Sequence, residues 1–183
     1  PHRWRCWLDR TTIAGGSNAA AAAGRGVEAG RVDRDGAPLA GTVIYTGAAD
    51  ELFGCRYGRL PYRTLDFVFE THPVDFWQSH GTVNYTVDRD YTRITEFKYL
   101  TGQDLPGTTT IMKEYSRAYT GAAGEVPYYA VINGESNALY ARYKALADRI
   151  PNFHLLGRLA EYKYYNMDAI AARALELCDS LLK

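Results

Sequence analysis

The feature that most constrains the fold of this chain is a series of short strands whose connections are too short to contain a helix. Residues 62–70 alternate with period two, and one face of that strand carries Arg63, Leu65, Phe67 and Phe69. Further strands are predicted over residues 82–87, 91–100 and 108–115. The connections contain Gly, Pro and Asp, and none is long enough for a crossover helix. Successive strands of this kind predict an antiparallel sheet.

The chain around this sheet has a mixed character. Residues 42–47 form a short apolar strand ending in a glycine, and residues 48–53 are consistent with a helical turn. Helical spacing predicts a helix over residues 136–150, followed by a strand at 153–156. A final helix begins after Asn166, a suitable N-cap, and one apolar stripe on it contains Met167, Ile170, Ala171, Ala174, Leu175, Cys178, Leu181 and Leu182. The fold class is therefore α+β, an antiparallel sheet followed by a helix–strand–helix unit.

Charge and cysteine content exclude several classes of protein. The 183 residues carry 21 basic and 21 acidic side chains, so no overall field favours nucleic acid or an anionic membrane. Three widely spaced cysteines suit a reducing compartment better than a disulfide framework. The sequence contains no apolar run of membrane-spanning length, no metal-ligand spacing and no Ser-His-Asp arrangement. The 15 tyrosines are unusual, and their flat faces and hydroxyls suit sugars and phosphates as well as packing.

Residues 1–40 are difficult to assign to any element. Residues 24–29 match G-x-G-x-x-A, the dinucleotide fingerprint, but no β-branched strand precedes them. We therefore discount nucleotide binding at this position. Because Pro1 is not an initiator residue, we expect the chain to be truncated at its start.

The segment from Gly157 to Asp168 is rich in tyrosines and basic residues. It contains a glycine turn, Arg158, Lys163 and three tyrosines, and it leads into the final helix. A helix N-terminus offers unpaired N–H groups and a partial positive charge, which suit an anionic or carbonyl-rich ligand. A simple strand-to-helix connection with locally packed tyrosines is the alternative.

Two arginines on predicted strands are candidates for anion binding. Arg63 lies on an otherwise apolar face, and Arg93 lies in register with Tyr91 and Phe97. A planar guanidinium binds phosphate through a fork of donors, so the pair could clamp a diphosphate. Each arginine could instead pair with a structural carboxylate or be solvated at a strand end.

Seven short motifs occur together in one order, which is far more specific than any one of them. They are Val43 to Gly47 with Asp50, Arg59 to Leu65, Val83 to Tyr85, Tyr91 to Glu96, Lys113 to Ser116, Pro127 to Tyr129, and Gly157 to Asp168. On these motifs, residues 41–183 resemble the C-terminal half of the UDP-galactopyranose mutases.

The resemblance implies an activity and a cofactor. The family interconverts UDP-galactopyranose and UDP-galactofuranose by ring contraction through a flavin N5–sugar adduct, with FAD in its reduced form. It further implies a cytoplasmic isomerase that supplies galactofuranose for cell wall polysaccharide, with no nucleic-acid partner and no membrane insertion. A homodimer is an open alternative for the full-length protein. Two other hypotheses remain, a non-catalytic UDP-sugar binding module and an amine-oxidase-like flavoprotein.

The resemblance also implies roles for particular residues. Arg63 and Arg93 correspond to catalytic arginines at the diphosphate. The substrate-binding positions are Asn84, Arg93, Tyr129 and Tyr164. The flavin-binding positions are Arg158, Tyr165, Asn166, Met167 and Asp168. Asn166 stands where relatives often have Asp, so only the helix-start role is carried over to it.

The implied domains follow from these roles. Residues 1–40 match the family poorly. Residues 41–130 form the antiparallel-sheet substrate region, and residues 131–183 complete an FAD-binding Rossmann-like domain whose N-terminal part is absent. Without that part, we expect the chain alone to be inactive.

Overall fold

A computed structural model describes residues 25–28, 31–34, 37–38 and 42–182, the first three ranges as strands only. The chain divides into two compact units. One unit contains the chain up to Arg63 and from Tyr119 onward, and the other is Thr64–Ala118. The division predicted from the sequence, at residues 41–130 and 131–183, was based on the implied substrate and flavin roles and not on compact units. It stays a prediction. No helix within the described residues has the length and apolar character needed to cross a membrane.

The Thr64–Ala118 unit is built on the predicted sheet. The long strand β5 (Tyr62–His72) begins in the first unit, and β6 (Thr82–Asn84), β7 (Arg93–Glu96) and β8 (Thr109–Ala118) follow. Neighbouring strands run in the order β6-β7-β8-β5. Both β6 with β7 and β7 with β8 pair antiparallel, which confirms the predicted sheet.

The predicted strand over residues 91–100 is wrong in its second half. After Glu96 the chain forms a short helix, α2 (Phe97–Thr101), which ends at Gly102 with φ of 66°. The helix directs the Lys98 ammonium inward, where it donates to the carbonyls of Asp75, Leu105 and Thr108 at 3.0, 2.5 and 2.9 Å. A buried ammonium requires such acceptors. The alternation of side chains over residues 91–100 did not indicate these contacts, which is why the helix was not predicted.

Around this helix, the carboxylate of Glu96 organises a loop. It is fully buried and accepts the N–H groups of Trp77 and Gln78 at 2.9 and 3.0 Å. It also accepts the Thr109 hydroxyl at 2.6 Å. These donors replace the water that the charge loses on burial.

The other unit contains the main apolar core. Strand β4 (Val43–Tyr45) leads into α1 (Ala49–Leu52), and β9 (Tyr129–Ala130) pairs antiparallel with Tyr62 and Arg63 at the start of β5. Strand β10 (Phe153–Leu155) pairs with β4 in parallel. The buried core consists of Ala48, Ala49, Phe53, Leu60, Tyr62, Tyr143, Ala147, Ile150, Phe153 and Tyr162.

Two longer helices complete this unit. Helix α3 (Gly134–Ala147) begins with a capping box in which Asn133 and Ser136 bond each other's backbone N–H. Helix α4 (Met167–Leu182) begins where Asn166 was predicted to cap, and the Asn166 carbonyl accepts the Ile170 N–H at 3.0 Å. The buried residue of α4 is Leu177, which the predicted stripe omitted, whereas Met167, Leu175 and Leu182 of the stripe are exposed.

Near the start of the chain, three short strands form a separate antiparallel sheet, namely β1 (Arg25–Glu28), β2 (Arg31–Arg34) and β3 (Ala37–Pro38). Gly26 lies opposite Asp33 within the β1–β2 pair. A dinucleotide fingerprint requires its glycines in a turn that opens a helix, so this geometry agrees with discounting the motif. The rest of the 1–40 segment lies outside the described residues.

Candidate functional site

A cation in contact with two neighbouring phenol rings is the main candidate site in the larger unit. The Arg158 guanidinium carbon lies 5.5 Å from the centre of the Tyr129 ring and 5.4 Å from that of Tyr164. The two rings are 5.9 Å apart at 32° to each other. We call Tyr129, Arg158 and Tyr164 the Arg158 cluster. No carboxylate pairs with Arg158 among the residues that the structure describes, so its donors are available for an anion or a carbonyl oxygen.

Three different elements position this cluster. Tyr129 belongs to β9, where it lies opposite Arg63, and the neighbouring Tyr128 donates its N–H to the Arg63 carbonyl at 2.7 Å. Arg158 follows Gly157, which has φ of 106°, a conformation that favours glycine. Tyr164 lies in the loop that leads into α4 at Met167, and it is 61% exposed. Side chains far apart in the sequence therefore meet at one partly exposed place.

The loop carrying Arg158 is held from both sides. Tyr162 adopts a φ of 51°, and its hydroxyl contacts the carbonyls of Pro61 and Val131 at 2.8 and 2.9 Å. The Tyr140 hydroxyl donates to the Ala160 carbonyl at 3.1 Å. Glu161 accepts the Gly157 N–H at 3.1 Å and the Arg173 Nε–H at 3.0 Å. These hydrogen bonds fix the backbone of the loop on both sides of Arg158.

The start of α4 contains the other predicted flavin-binding residues. The Tyr164 hydroxyl donates to Asn166 Oδ1 at 3.0 Å, while Met167 is 84% exposed. Asp168 places a carboxylate in the first turn of the helix, where it already interacts with the positive end of the dipole. That carboxylate would repel a phosphate, so this helix start suits a neutral carbonyl edge better.

In the Thr64–Ala118 unit, Arg93 is held by polar neighbours on adjacent strands. Its Nε–H donates to Asn84 Oδ1 at 2.9 Å, and its Nη1 lies 3.7 Å from Glu114 Oε1. The strand register accounts for both contacts, because Arg93 lies opposite Asn84 on β6 and opposite Glu114 on β8. The sequence reasoning missed Glu114 as the ionic partner, although strand alternation around Lys113 could have placed it on the face of Arg93.

The structure thus brings some predicted site residues together and leaves others to prediction. Tyr129, Arg158 and Tyr164 form one cluster, and Asn84 and Arg93 form a direct contact. Arg63 and Arg93 belong to different units, so the predicted diphosphate clamp stays a prediction. Within the described residues, no group of three or more His, Cys, Asp or Glu side chains could hold a metal ion.

Comparison with protein families decides the class of this protein. The family model of UDP-galactopyranose mutase matches residues 27–164. The chain belongs to the UDP-galactopyranose mutase family. This is a family of isomerases that act on nucleotide sugars, as the motifs implied. The match begins before Gly41, earlier than the resemblance indicated.

Curated relatives agree with this membership. The chain is 40% identical over 152 residues to UDP-galactopyranose mutase of Mycoplasma pneumoniae, covering 80% of this chain and 37% of the relative. It is 33% identical to UDP-galactopyranose mutase of Mycoplasma genitalium, covering 76% of this chain and 35% of the relative. It is also 33% identical to dTDP-fucopyranose mutase of Escherichia coli, covering 78% and 38%. The chain therefore spans little more than a third of the length of these relatives.

Among solved structures, a proposed protoporphyrinogen oxidase of Exiguobacterium sp. 255-15 aligns with this chain. The alignment covers 86% of this chain and 45% of the oxidase. The TM-score is 0.48 and the sequence identity is 13%. At that level the likeness supports no conclusion about this chain.

Proposed function

We propose that this chain is the C-terminal part of a flavin-dependent UDP-galactopyranose mutase, which interconverts UDP-galactopyranose and UDP-galactofuranose. The observation that carries the proposal is the Arg158 cluster, in which a cation without a carboxylate partner among the described residues contacts two neighbouring tyrosine rings. The cluster lies within the residues matched by the family model. A nucleotide sugar and a flavin both present the phosphate or carbonyl oxygens that such a cation binds.

The residues at the start of α4 fit the pyrimidine edge of a flavin. That edge presents carbonyl and amide groups, which match the free N–H groups of a helix start and the Arg158 guanidinium. Tyr165, Asn166, Met167 and Asp168 would hold it there, with Asp168 disfavouring phosphate at the same position. When bound and reduced, the flavin supplies the nucleophilic chemistry at the anomeric carbon of the sugar.

The polar residues of this chain would then act on the diphosphate of the substrate. Departure of UDP places negative charge on the phosphates, and arginines with tyrosine hydroxyls stabilise charge that develops there. Arg93 is suited to this role because Asn84 and the buried Glu114 orient its guanidinium in advance. We assign Arg63 the same role, and we assign Tyr129 and Tyr164 to the phosphates through their hydroxyls.

The small parallel sheet supports a larger Rossmann-like domain. Among the described residues, β4 pairs only with β10, and Ile44 within β4 is 41% exposed. Parallel sheets are normally covered on both faces and contain more than two strands. We infer that further strands and the unit that holds the FAD diphosphate come from sequence outside the residues that the structure describes. The chain alone is then expected to be inactive and to bind FAD weakly or not at all.

Spectroscopy and turnover test this expectation directly. The purified 183-residue chain is incubated with FAD, desalted and scanned in the visible range, and it is then assayed with UDP-galactose under reducing conditions. Our proposal predicts no stoichiometric flavin spectrum and no product. Stable flavin together with mutase turnover would contradict the proposed dependence on a missing segment.

Calorimetry separates the proposal from a non-catalytic UDP-sugar binding module. A module would bind UDP fully without FAD, whereas a mutase part would bind it weakly until the flavin site is complete. Arg93→Ala is compared with Arg89→Ala, an exposed arginine in the neighbouring turn. Loss of binding in Arg93→Ala alone would support a role for Arg93 at the phosphates, and equal binding in both variants would exclude it.

Two further comparisons define the substrate and reaction class. Because one relative is a dTDP-fucopyranose mutase, the same titration with dTDP tests whether the chain prefers uracil or thymine nucleotides. Hydrogen peroxide formation from amines by a flavin-loaded protein would favour the amine-oxidase-like alternative. The proposed mutase makes no peroxide from UDP-galactose.

A further inference from the structure

The carboxylate of Glu161 closes the glycine turn that precedes Arg158. Its Oε2 accepts the Gly157 N–H at 3.1 Å, and its own N–H donates to the Gly157 carbonyl at 2.9 Å. One residue thereby satisfies both backbone groups of Gly157. Since Gly157 has φ of 106° and open space where a side chain would be, packing alone does not hold this turn.

The same carboxylate connects the turn to α4. Glu161 Oε1 accepts the Arg173 Nε–H at 3.0 Å, and the two side chains are only 12% and 32% exposed. A bond between ionised groups in such a half-buried place is stronger than one between neutral groups. Burial and then the Glu161 charge raise the pKa of Tyr165, so the phenol next to this pair stays neutral. Glu161 thus joins the turn before Arg158 with the helix that follows Tyr164.

Arg158 depends on that turn for its direction. Its carbonyl accepts the Lys163 N–H at 3.1 Å, but its side chain has no carboxylate to orient it within the part of the chain that the structure describes. Among the described residues, the backbone and two phenol rings define where the guanidinium lies. A change in φ at Gly157 would swing the side chain away from both rings.

We infer that Glu161 is a positioning residue, which holds the Gly157 turn against α4 and so keeps the Arg158 guanidinium in contact with both Tyr129 and Tyr164. In this role Glu161 acts through Arg158 and need not contact a ligand. The inference rests on the proposed function only for the identity of that ligand, and the position of Arg158 can be measured without it.

Nuclear magnetic resonance of the 183-residue chain tests the positioning. Glu161→Ala removes both acceptor oxygens, and Glu161→Gln keeps one oxygen but loses the charge opposite Arg173. Glu176→Gln makes the same charge change at an exposed position of α4 and serves as the control. We expect the Arg158 Nε–H and the Tyr129 and Tyr164 ring resonances to move in both Glu161 variants. The Gly157 amide should exchange about tenfold faster or more in Glu161→Ala, since a hydrogen bond to a charged group is lost.

Substitution at Arg173 distinguishes positioning from general stabilisation. Arg173→Lys keeps a cation opposite Glu161 and should preserve the Arg158 resonances, whereas Arg173→Ala should move them as Glu161→Gln does. A merely structural role would instead lower the thermal midpoint and shift resonances throughout the unit. Arg158 and Tyr164 resonances that stay unchanged in Glu161→Ala, or that move no more than distant ones, would overturn the inference.

Titration with UDP adds a functional readout. If the wild-type chain binds UDP, we expect Glu161→Ala to weaken binding about threefold to tenfold, because Tyr129 and Tyr164, which we assign to the phosphates, lose a correctly placed Arg158. Binding by Glu176→Gln should be unchanged. Absence of UDP binding by the wild-type chain would count against the proposed ligand, and the resonances alone would then decide the role of Glu161.

Discussion

Asp50 and Glu96 are both inaccessible to solvent, yet their surroundings shift their protonation in opposite directions. Burial raises the pKa of Asp50 despite the Leu60 N–H that it accepts at 3.0 Å. Burial alone would also raise the pKa of Glu96, but the bonds from Thr109, Trp77 and Gln78 outweigh it, so that pKa is lowered. The neighbouring charges differ as well, because the Lys98 ammonium lowers the pKa of Glu96 further, whereas the Glu51 carboxylate raises that of Asp50.

We predict that Glu96→Gln destabilises the chain by about 1–3 kcal/mol at neutral pH, because the network loses its charge and one of its two acceptor oxygens. A lowered pKa in the folded state contributes stability above the ordinary carboxyl pKa, and that stability is lost as pH falls through the folded value. The cost of the substitution should therefore shrink in acid. Urea denaturation at several pH values measures it, with Asp104→Asn as an exposed control in the same unit. A cost that does not change with pH would contradict the assigned network.

For Asp50 the expected dependence of stability on pH is opposite to that for Glu96. A raised folded pKa means that the protonated form is favoured on folding, so stability is lost as pH rises from the ordinary carboxyl value through the folded value. Asp50→Asn removes this charge and should gain stability relative to the wild type over that range. Thermal melts from pH 3 to 7 (a range of about 4 units around the ordinary carboxyl pKa) test the trend. A difference between variant and wild type that stays constant with pH would show that Asp50 is not destabilised by burial.

At the scale of elements, the turn at Gly157 allows a clean test of backbone conformation. A Cβ at Gly157 would meet nothing within 4 Å, so any cost of Gly157→Ala arises from φ of 106° rather than from a clash. We predict a loss of about 1–3 kcal/mol in the free energy of unfolding. Gly134→Ala in the first turn of α3 is the matched control, since it also has open space but no positive φ, and it should be neutral or slightly stabilising. Equal effects of the two substitutions would contradict this explanation.

The capping box of α3 leads to another prediction at this scale. Asn133 Oδ1 accepts the Ser136 N–H at 2.8 Å, and Ser136 Oγ accepts the Asn133 N–H at 2.9 Å. Asn133→Ala should cost about 1 kcal/mol, the usual value for losing such a cap. Asn137→Ala, on an exposed part of the same helix, should change stability much less. Chemical denaturation of both variants measures the difference, and a cost no larger than that of Asn137→Ala would argue against a stabilising cap.

For the whole molecule, the exposed stripe of α4 predicts self-association. Leu175 and Leu182 are 67% and 62% exposed, and contiguous apolar surface promotes contact between chains. We expect the double variant Leu175→Gln/Leu182→Gln to associate less than the wild type in sedimentation velocity and to bind less of a hydrophobic dye. Val87→Gln is the control, because Val87 is 91% exposed but lies outside any helix. Unchanged association in the double variant would locate the responsible surface elsewhere.

Local patterns in the sequence determined most of the elements of this protein. Strand alternation from Arg63 to Phe69 and the helical spacing before Pro151 predicted β5 and α3, because side-chain period follows directly from backbone geometry. The order of seven motifs also indicated the mutase family, which the family model confirms. Both kinds of information are carried by residues close together in the chain.

The tertiary structure decided what those patterns could not. The helix at Phe97–Thr101 forms where Lys98 reaches three distant carbonyls, and the parallel pairing of β4 with β10 joins segments more than 100 residues apart. Likewise, Arg158 becomes a candidate site only because Tyr129 and Tyr164 meet around it, held by Glu161 and the Gly157 turn. Each of these depends on contacts between distant segments, whose gain in free energy outweighs local preference and which no local period encodes.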